Sequence, residues 1–138
     1  MSRLRPDEAG VERVLILRRS RRVGTYRGRW AAVSGYLEAP DPLSQAYREL
    51  REETGLGRRD VRLLAAGEPL PVEDAQLGVR WLVHPFLFRL LPGREPALDW
   101  EHTQSRWVRP NGLGRFKTVP ALREALERVY APARSNAS

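Results

Sequence analysis

Apolar residues recur along this chain in short blocks separated by glycine, proline and charged residues, and the spacing within each block predicts the element it forms. Val11 to Leu17 is aliphatic and β-branched, the pattern of a strand, and it runs into the basic cluster Arg18, Arg19, Arg21 and Arg22. Val23 to Arg29 contains Gly24 and Gly28 and reads as a loop, and Trp30 to Val33 is a second apolar run stopped by Ser34 and Gly35. Asp41-Pro42 is a helix start, because Asp accepts hydrogen bonds from free amides while Pro suits the first helical position. The helix is predicted from Pro42 to about Thr54, ending at Gly55, with Leu43, Ala46, Tyr47 and Leu50 on its apolar face. Further strands are predicted at Val61 to Ala66, Val79 to Leu91 and Ser105 to Val108, with Pro69 to Gly78 as a turn-rich connection. A last helix, Val119 to about Tyr130, places Leu122, Ala125, Leu126 and Val129 on one stripe, and Ala131 to Ser138 reads as a frayed, flexible tail. This order of elements predicts an α+β fold with a mixed sheet sandwiched by helices.

Length changes the picture little: 138 residues fit a single domain, with no visible linker or internal repeat. At 41% hydrophobic and 30% charged residues, the chain can bury a core. The absence of Cys excludes a disulfide framework, a thiolate nucleophile and a Cys-ligated zinc site. No run of about 18 apolar residues and no charged-then-apolar leader is present, so the expected location is the cytoplasm, with no membrane partner. The net charge is +7, carried almost entirely by Arg, since Lys117 is the only Lys. Arg forks match phosphate oxygens, which suggests an anionic partner, but a compositional bias toward Arg explains the skew equally well. The basic residues are scattered and no RNA or DNA motif accompanies them, so no specific nucleic-acid partner is expected.

Candidate chemistry sits on the first predicted helix. Arg48-Glu49-Leu50-Arg51-Glu52-Glu53-Thr54-Gly55-Leu56 contains Glu49, Glu52 and Glu53 at steps of three and four, so all three can project from one side over adjacent turns. Carboxylates that close repel one another unless a cation lies among them, and a hard divalent ion suits such oxygen ligands. Arg48, four residues before Glu52, can orient a carboxylate or hold phosphate. Runs of Arg and Glu are also common on solvated helix faces, so the run gains weight from its setting: it follows a strand and a loop, begins at a marked cap and ends at a glycine.

The segment Gly35 to Leu56 resembles the Nudix box. Arg48 through Leu56 matches the second half of that box, Arg-Glu-apolar-any-Glu-Glu-any-Gly-apolar, at every specified position. In the first half Gly35 fits the opening Gly, but Asp41 stands where the family has Glu, and only Pro42 to Tyr47 separate it from Arg48, one residue fewer than usual. Asp41 is therefore either a stand-in for that Glu or a helix cap. At lower specificity the resemblance covers Val11 to Val129 and includes Gly28-Arg29-Trp30 and Trp100-Glu101-His102-Thr103 followed by Arg106-Trp107-Val108.

The resemblance implies an α/β/α sandwich and a Mg²⁺-dependent hydrolase, with Mn²⁺ as an alternative ion, that cuts a diphosphate bond of a small phosphorylated nucleotide. It implies Glu49, Glu52 and Glu53 as metal ligands, Glu52 as ligand or base, and Arg48 holding the carboxylates. Glu101 and His102 are further candidates to take a proton, beside the alternative of a solvated strand lead-in. Arg18, Arg19, Arg27, Arg29 and Gly35 are candidates for substrate binding. Tyr26, Trp30 and Trp81 can stack on a base or belong to the core. Pro69 and Pro71 loosely match a downstream Pro of ADP-ribose enzymes in the family and also suit a plain turn. With few residues before the first clear strand, an early sheet strand is missing or supplied by a partner subunit, which is compatible with a homodimer. A catalytically silent nucleotide sensor is the alternative function, against which the three glutamates argue.

Overall fold

The computed structural model describes residues 2–6, 12–20, 26–33, 41–74, 78–100 and 102–135. Eight strands and two α-helices follow in the order β1 (Ser2–Pro6), β2 (Glu12–Arg19), β3 (Trp30–Ala31), α1 (Pro42–Thr54), β4 (Val61–Ala66), β5 (Leu70–Asp74), β6 (Val79–Val83), β7 (Phe86–Leu90), β8 (His102–Val108) and α2 (Leu122–Ser135). Short 3₁₀ segments at Arg58–Asp60 and Pro110–Arg115 precede β4 and follow β8.

The main sheet runs β3-β2-β1-β7-β4, with β8 on the other side of β2. β1 pairs antiparallel with β2 and parallel with β7, which makes the sheet mixed. β2 shares residues Leu17 and Arg18 with both β3 and β8, so these two lie on opposite edges of it.

Helices cover both faces. α1 packs Leu43, Ala46, Tyr47 and Leu50 onto Leu15 and Leu17 of β2 and Phe86, Phe88 and Leu90 of β7, with Tyr47 and Phe88 ring centroids 5.0 Å apart. α2 packs Leu122, Leu126 and Val129 onto Val14, Ile16 and Leu87 from the opposite side, together with Trp30, Ala32 and Leu113. This α/β/α sandwich explains the composition of β2. Val14, Leu15, Ile16 and Leu17 are all buried, so the strand reads as an unbroken apolar run and lacks alternation.

α1 has the predicted bounds, and its apolar face is the predicted one. Elsewhere the boundaries differ for identifiable reasons. The expected early strand is neither missing nor borrowed: β1 is part of this chain, so the sheet needs no partner subunit to complete it. It escaped the pattern because Ser-Arg-Leu-Arg-Pro contains no apolar run. The single strand expected from Val79 to Leu91 is two strands, β6 and β7, divided at His84-Pro85, where Pro lacks the amide a ladder requires. Part of the expected turn at Pro69 to Gly78 is β5, which forms a separate two-stranded ribbon with β6. Pro71 is tolerated there because a two-stranded ribbon leaves every strand one unpaired edge. α2 starts after Ala121, whose φ of 70° turns the chain, and continues to Ser135 through residues expected to fray.

Candidate active site

α1 is fixed at both ends by the residues the sequence marks. Asp41 has extended backbone, and its Oδ1 accepts from the Ser44 amide at 2.8 Å while Oδ2 accepts from Ser44 Oγ at 2.9 Å. Both oxygens are thus used in capping, and these hydrogen bonds from Ser44 hold the Asp41 carboxyl below its ordinary value. At the other end Gly55 adopts φ 74°, and its amide donates to the Arg51 carbonyl at 2.9 Å. The loop after β7 then crosses this end, with the Ala97 amide donating to the Thr54 carbonyl at 2.8 Å.

Between these caps the three glutamates meet different surroundings. Glu53 is only 3% exposed, pressed toward the sheet. Glu49 is half-buried and accepts from Gln45 Nε2 one turn earlier. Glu52 is exposed and pairs with Arg48, Nε to Oε1 at 3.2 Å, so the expected contact between Arg48 and a carboxylate is present. Among the described residues no three carboxylate or imidazole groups already converge on one point.

The sheet supplies what faces Glu53. His102, the first residue of β8, places Nε2 3.4 Å from Glu53 Oε1 and Nδ1 2.9 Å from Asp99 Oδ1, with its side chain 1% exposed. It reaches this position through a β-bulge. Along most of their length β2 and β8 pair in one register, Val14 with Val108 through Arg18 with Gln104, and the register then slips so that Arg19 faces His102. Unslipped pairing would set Thr103 opposite Arg19 and turn His102 to the α2 face. The extra residue brings the imidazole to the α1 face, where Leu15 and Leu17 pack. Sequence reading named His102 as a proton acceptor. Burial removes the ring from solvent and makes it a neighbour of Glu53. Asp99, overlooked in the sequence, had as its only signal a spacing of three residues from His102.

The four arginines considered for substrate divide between faces. Arg19 shares the α1 face with His102, its cross-strand partner. Arg18 belongs to the opposite face, beside Trp30 and Gln104, and its Nε donates to the Gly28 carbonyl at 3.2 Å. Arg29 and Arg27 are exposed in the turn before β3, and Arg29 donates to the Thr118 carbonyl at 3.3 Å. Gly35 and Glu101 lie outside the described residues.

Of the aromatic candidates, Trp30 is core, edge-on to Phe116 at 5.3 Å, and Trp81 sits in the β5–β6 ribbon opposite Val72. Tyr26 lies in the turn, its ring centroid 6.0 Å from the Arg29 guanidinium. Pro69 accepts from Arg128 of α2 at 2.8 Å, a structural contact. Among the described residues no helix is long and apolar enough to cross a membrane.

Comparison with known proteins bears on this arrangement. A family model, NUDIX domain, matches residues 4–129. No curated protein sequence matches the chain. Among solved structures the fold is similar to a Nudix hydrolase from M. smegmatis, RenU, at TM-score 0.75 and 18% identity, covering 99% of this chain and 81% of that one. It is similar to a C. elegans Ap4A hydrolase at TM-score 0.75 and 19% identity, covering 98% and 93%. It is also similar to the E. coli dihydroneopterin triphosphate pyrophosphohydrolase at TM-score 0.71 and 22% identity, covering 91% and 88%. At these identities the likeness speaks for the fold. The family model spans nearly the whole described sheet, α1 and the first half of α2, and it includes the Arg48–Leu56 run: the chain belongs to the Nudix family.

Proposed function

We propose that this domain is a divalent-metal-dependent hydrolase that cuts a diphosphate bond in a nucleoside diphosphate derivative. The observation that carries the proposal is the single helix α1. It bears Arg48, Glu49, Glu52 and Glu53 in the family's spacing, is capped at both ends, and keeps one carboxylate, Glu53, out of water against the sheet.

The donor set fits a hard cation, since all three side chains offer carboxylate oxygen and no softer ligand stands beside them on the helix. Glu49, Glu52 and Glu53 would hold Mg²⁺ or Mn²⁺, and such an ion, when bound, neutralises diphosphate charge and acidifies an attacking water. Glu52 is the carboxylate most open to solvent and the one steered by Arg48, which suits it to accept a proton from that water. Arg19, on the α1 face, would grip a phosphate; Arg27 and Arg29 lie in the turn before β3, Gly35 stays a candidate from the family's spacing, and Arg18, on the opposite face of β2, is poorly placed to join them. Glu101, beside His102 in the sequence, remains a second candidate base. A polyphosphate ester, with a nucleotide or a related heterocyclic group, is the favoured substrate class, since one similar structure is an Ap4A hydrolase and another a dihydroneopterin triphosphate pyrophosphohydrolase.

The test is a panel of nucleoside triphosphates, nucleotide sugars and dinucleoside polyphosphates incubated with Mg²⁺ or Mn²⁺, with and without excess chelator. Release of a nucleoside monophosphate that stops with chelator is expected. Equal turnover in chelator would overturn the metal requirement, and no turnover across the panel would overturn the hydrolase.

A further inference from the structure

We infer that Asp99 and His102 form a positioning pair that holds Glu53 ready to receive a metal ion. The inference rests on the reading of Glu53 as a ligand.

The geometry is that of a support built behind a carboxylate. Asp99 Oδ1 lies 2.9 Å from His102 Nδ1, a good hydrogen-bond length, while Nε2 on the far side of the ring lies 3.4 Å from Glu53 Oε1. The ring therefore cannot turn without giving up its contact with Asp99. Fully buried, it also has no room to swing toward solvent. Asp99 is itself held, because its carbonyl accepts from the His102 amide at 3.3 Å and its loop is tied to the end of α1 through Ala97 and Thr54. Leu98 of the same loop packs into the core beneath α1.

Two features say that this contact is more than incidental packing. The first is the bulge between Arg18 and Arg19: a slip of one residue is what carries His102 to the α1 face. The second is the contrast among the glutamates, since the exposed Glu52 pairs with an equally exposed Arg48, while the buried Glu53 has a buried ring 3.4 Å from its Oε1. A free Glu side chain has several rotatable bonds to order when it binds an ion. Ordering the carboxylate beside an imidazole in advance reduces that cost. His102 and Asp99 touch neither substrate nor reacting atoms in this scheme, so they are positioning residues.

The experiment measures Mn²⁺ affinity by calorimetry and electron paramagnetic resonance on the full chain, beside kcat and KM. His102→Leu keeps the packing volume but no polar atom. His102→Gln keeps an amide that can reach Glu53. Asp99→Asn leaves the ring in place and weakens its anchor, and because Asp99 is near the surface this variant should fold even if His102→Leu does not. Expected are Mn²⁺ binding weakened tenfold to a hundredfold in His102→Leu, about tenfold in Asp99→Asn, and largely restored in His102→Gln. Loss of kcat at saturating Mn²⁺ should be smaller than loss of affinity. In a Glu53→Gln background His102→Leu should add less than about twofold, because both changes remove one interaction. Wild-type Mn²⁺ affinity in the folded Asp99→Asn and His102→Leu proteins, or full additivity with Glu53→Gln, would overturn the inference. Failure of the unmodified protein to bind Mn²⁺ would instead overturn the metal reading on which it rests.

Discussion

Replacing Glu52 by Gln separates a metal-site carboxylate from an ordinary surface charge, and the structure sets the size of each effect. Glu52 is about half exposed, and its described partner is Arg48, an i,i+4 neighbour equally open to solvent. An exposed pair of this kind is worth roughly 0.3–0.5 kcal/mol, and losing it is partly offset by relief of repulsion from Glu49 and Glu53. For a domain of this size such a change moves the melting temperature by roughly 2 °C at most. Gln has the same shape as Glu, so the helix should not move. If Glu52 binds the ion or takes the proton, the rate should nevertheless fall on the order of a hundredfold or more, a loss of about 2.7 kcal/mol from the transition state. The two magnitudes differ several-fold and cannot be confused. The assay is kcat/KM at saturating Mg²⁺ on whichever substrate the panel identifies, beside a melting curve without metal. Activity within tenfold of wild type at unchanged melting temperature would mean that Glu52 belongs to a solvated helix face, and the functional reading of the run would lose its most accessible member.

Asp41→Asn should retain activity within about tenfold, since Asn caps through the same kind of oxygen, whereas Glu53→Gln should cost a hundredfold or more; equal losses with unchanged circular dichroism would move Asp41 into the metal site. Because the folded carboxyl of Asp41 titrates below its unfolded value, its contribution to stability is present above the unfolded value and is lost as pH falls through the folded one. Melting followed downward in pH should therefore show the wild type losing stability relative to Asp41→Asn, and parallel curves would refute the linkage. Gly55→Ala meets no neighbouring atom but must adopt φ 74°, so denaturant unfolding should register a loss of about 1–2 kcal/mol from backbone strain alone.

How far the sequence disclosed the molecule follows from which interactions are local. α1 was legible to the residue because its cap, apolar stripe and terminal glycine all act within a few positions of the backbone they shape. β2 was legible because burial on both faces makes it continuously apolar. The division between β6 and β7 was written in Pro85, but the apolar residues on either side concealed it. β5 was hidden for the opposite reason, since Pro69 and Pro71 mark turns in most contexts and only an edge position admits Pro71 to a strand. In the candidate site, the placement of the three glutamates on one helix was legible because their spacing is a property of that helix. The Asp99–His102 support was not, because it depends on a slip in pairing between strands far apart in the chain. Likewise the side of the sheet to which Arg18 and Arg19 belong is decided by cross-strand partners, which composition does not reveal.

The position of β1 decides whether the sheet is one piece or two. Five residues, Ser2–Pro6, join the group formed by β2, β3 and β8 to the pair formed by β4 and β7, and they do so through main-chain ladders. A seam made of main-chain ladders depends on every amide and carbonyl along it. Its weakness follows: a proline in mid-strand, or clipping of the segment by a protease, would uncover the edges of β2 and β7 together and leave two half-sheets, each a template for pairing with another chain. The continuity of the sheet thus rests on five residues.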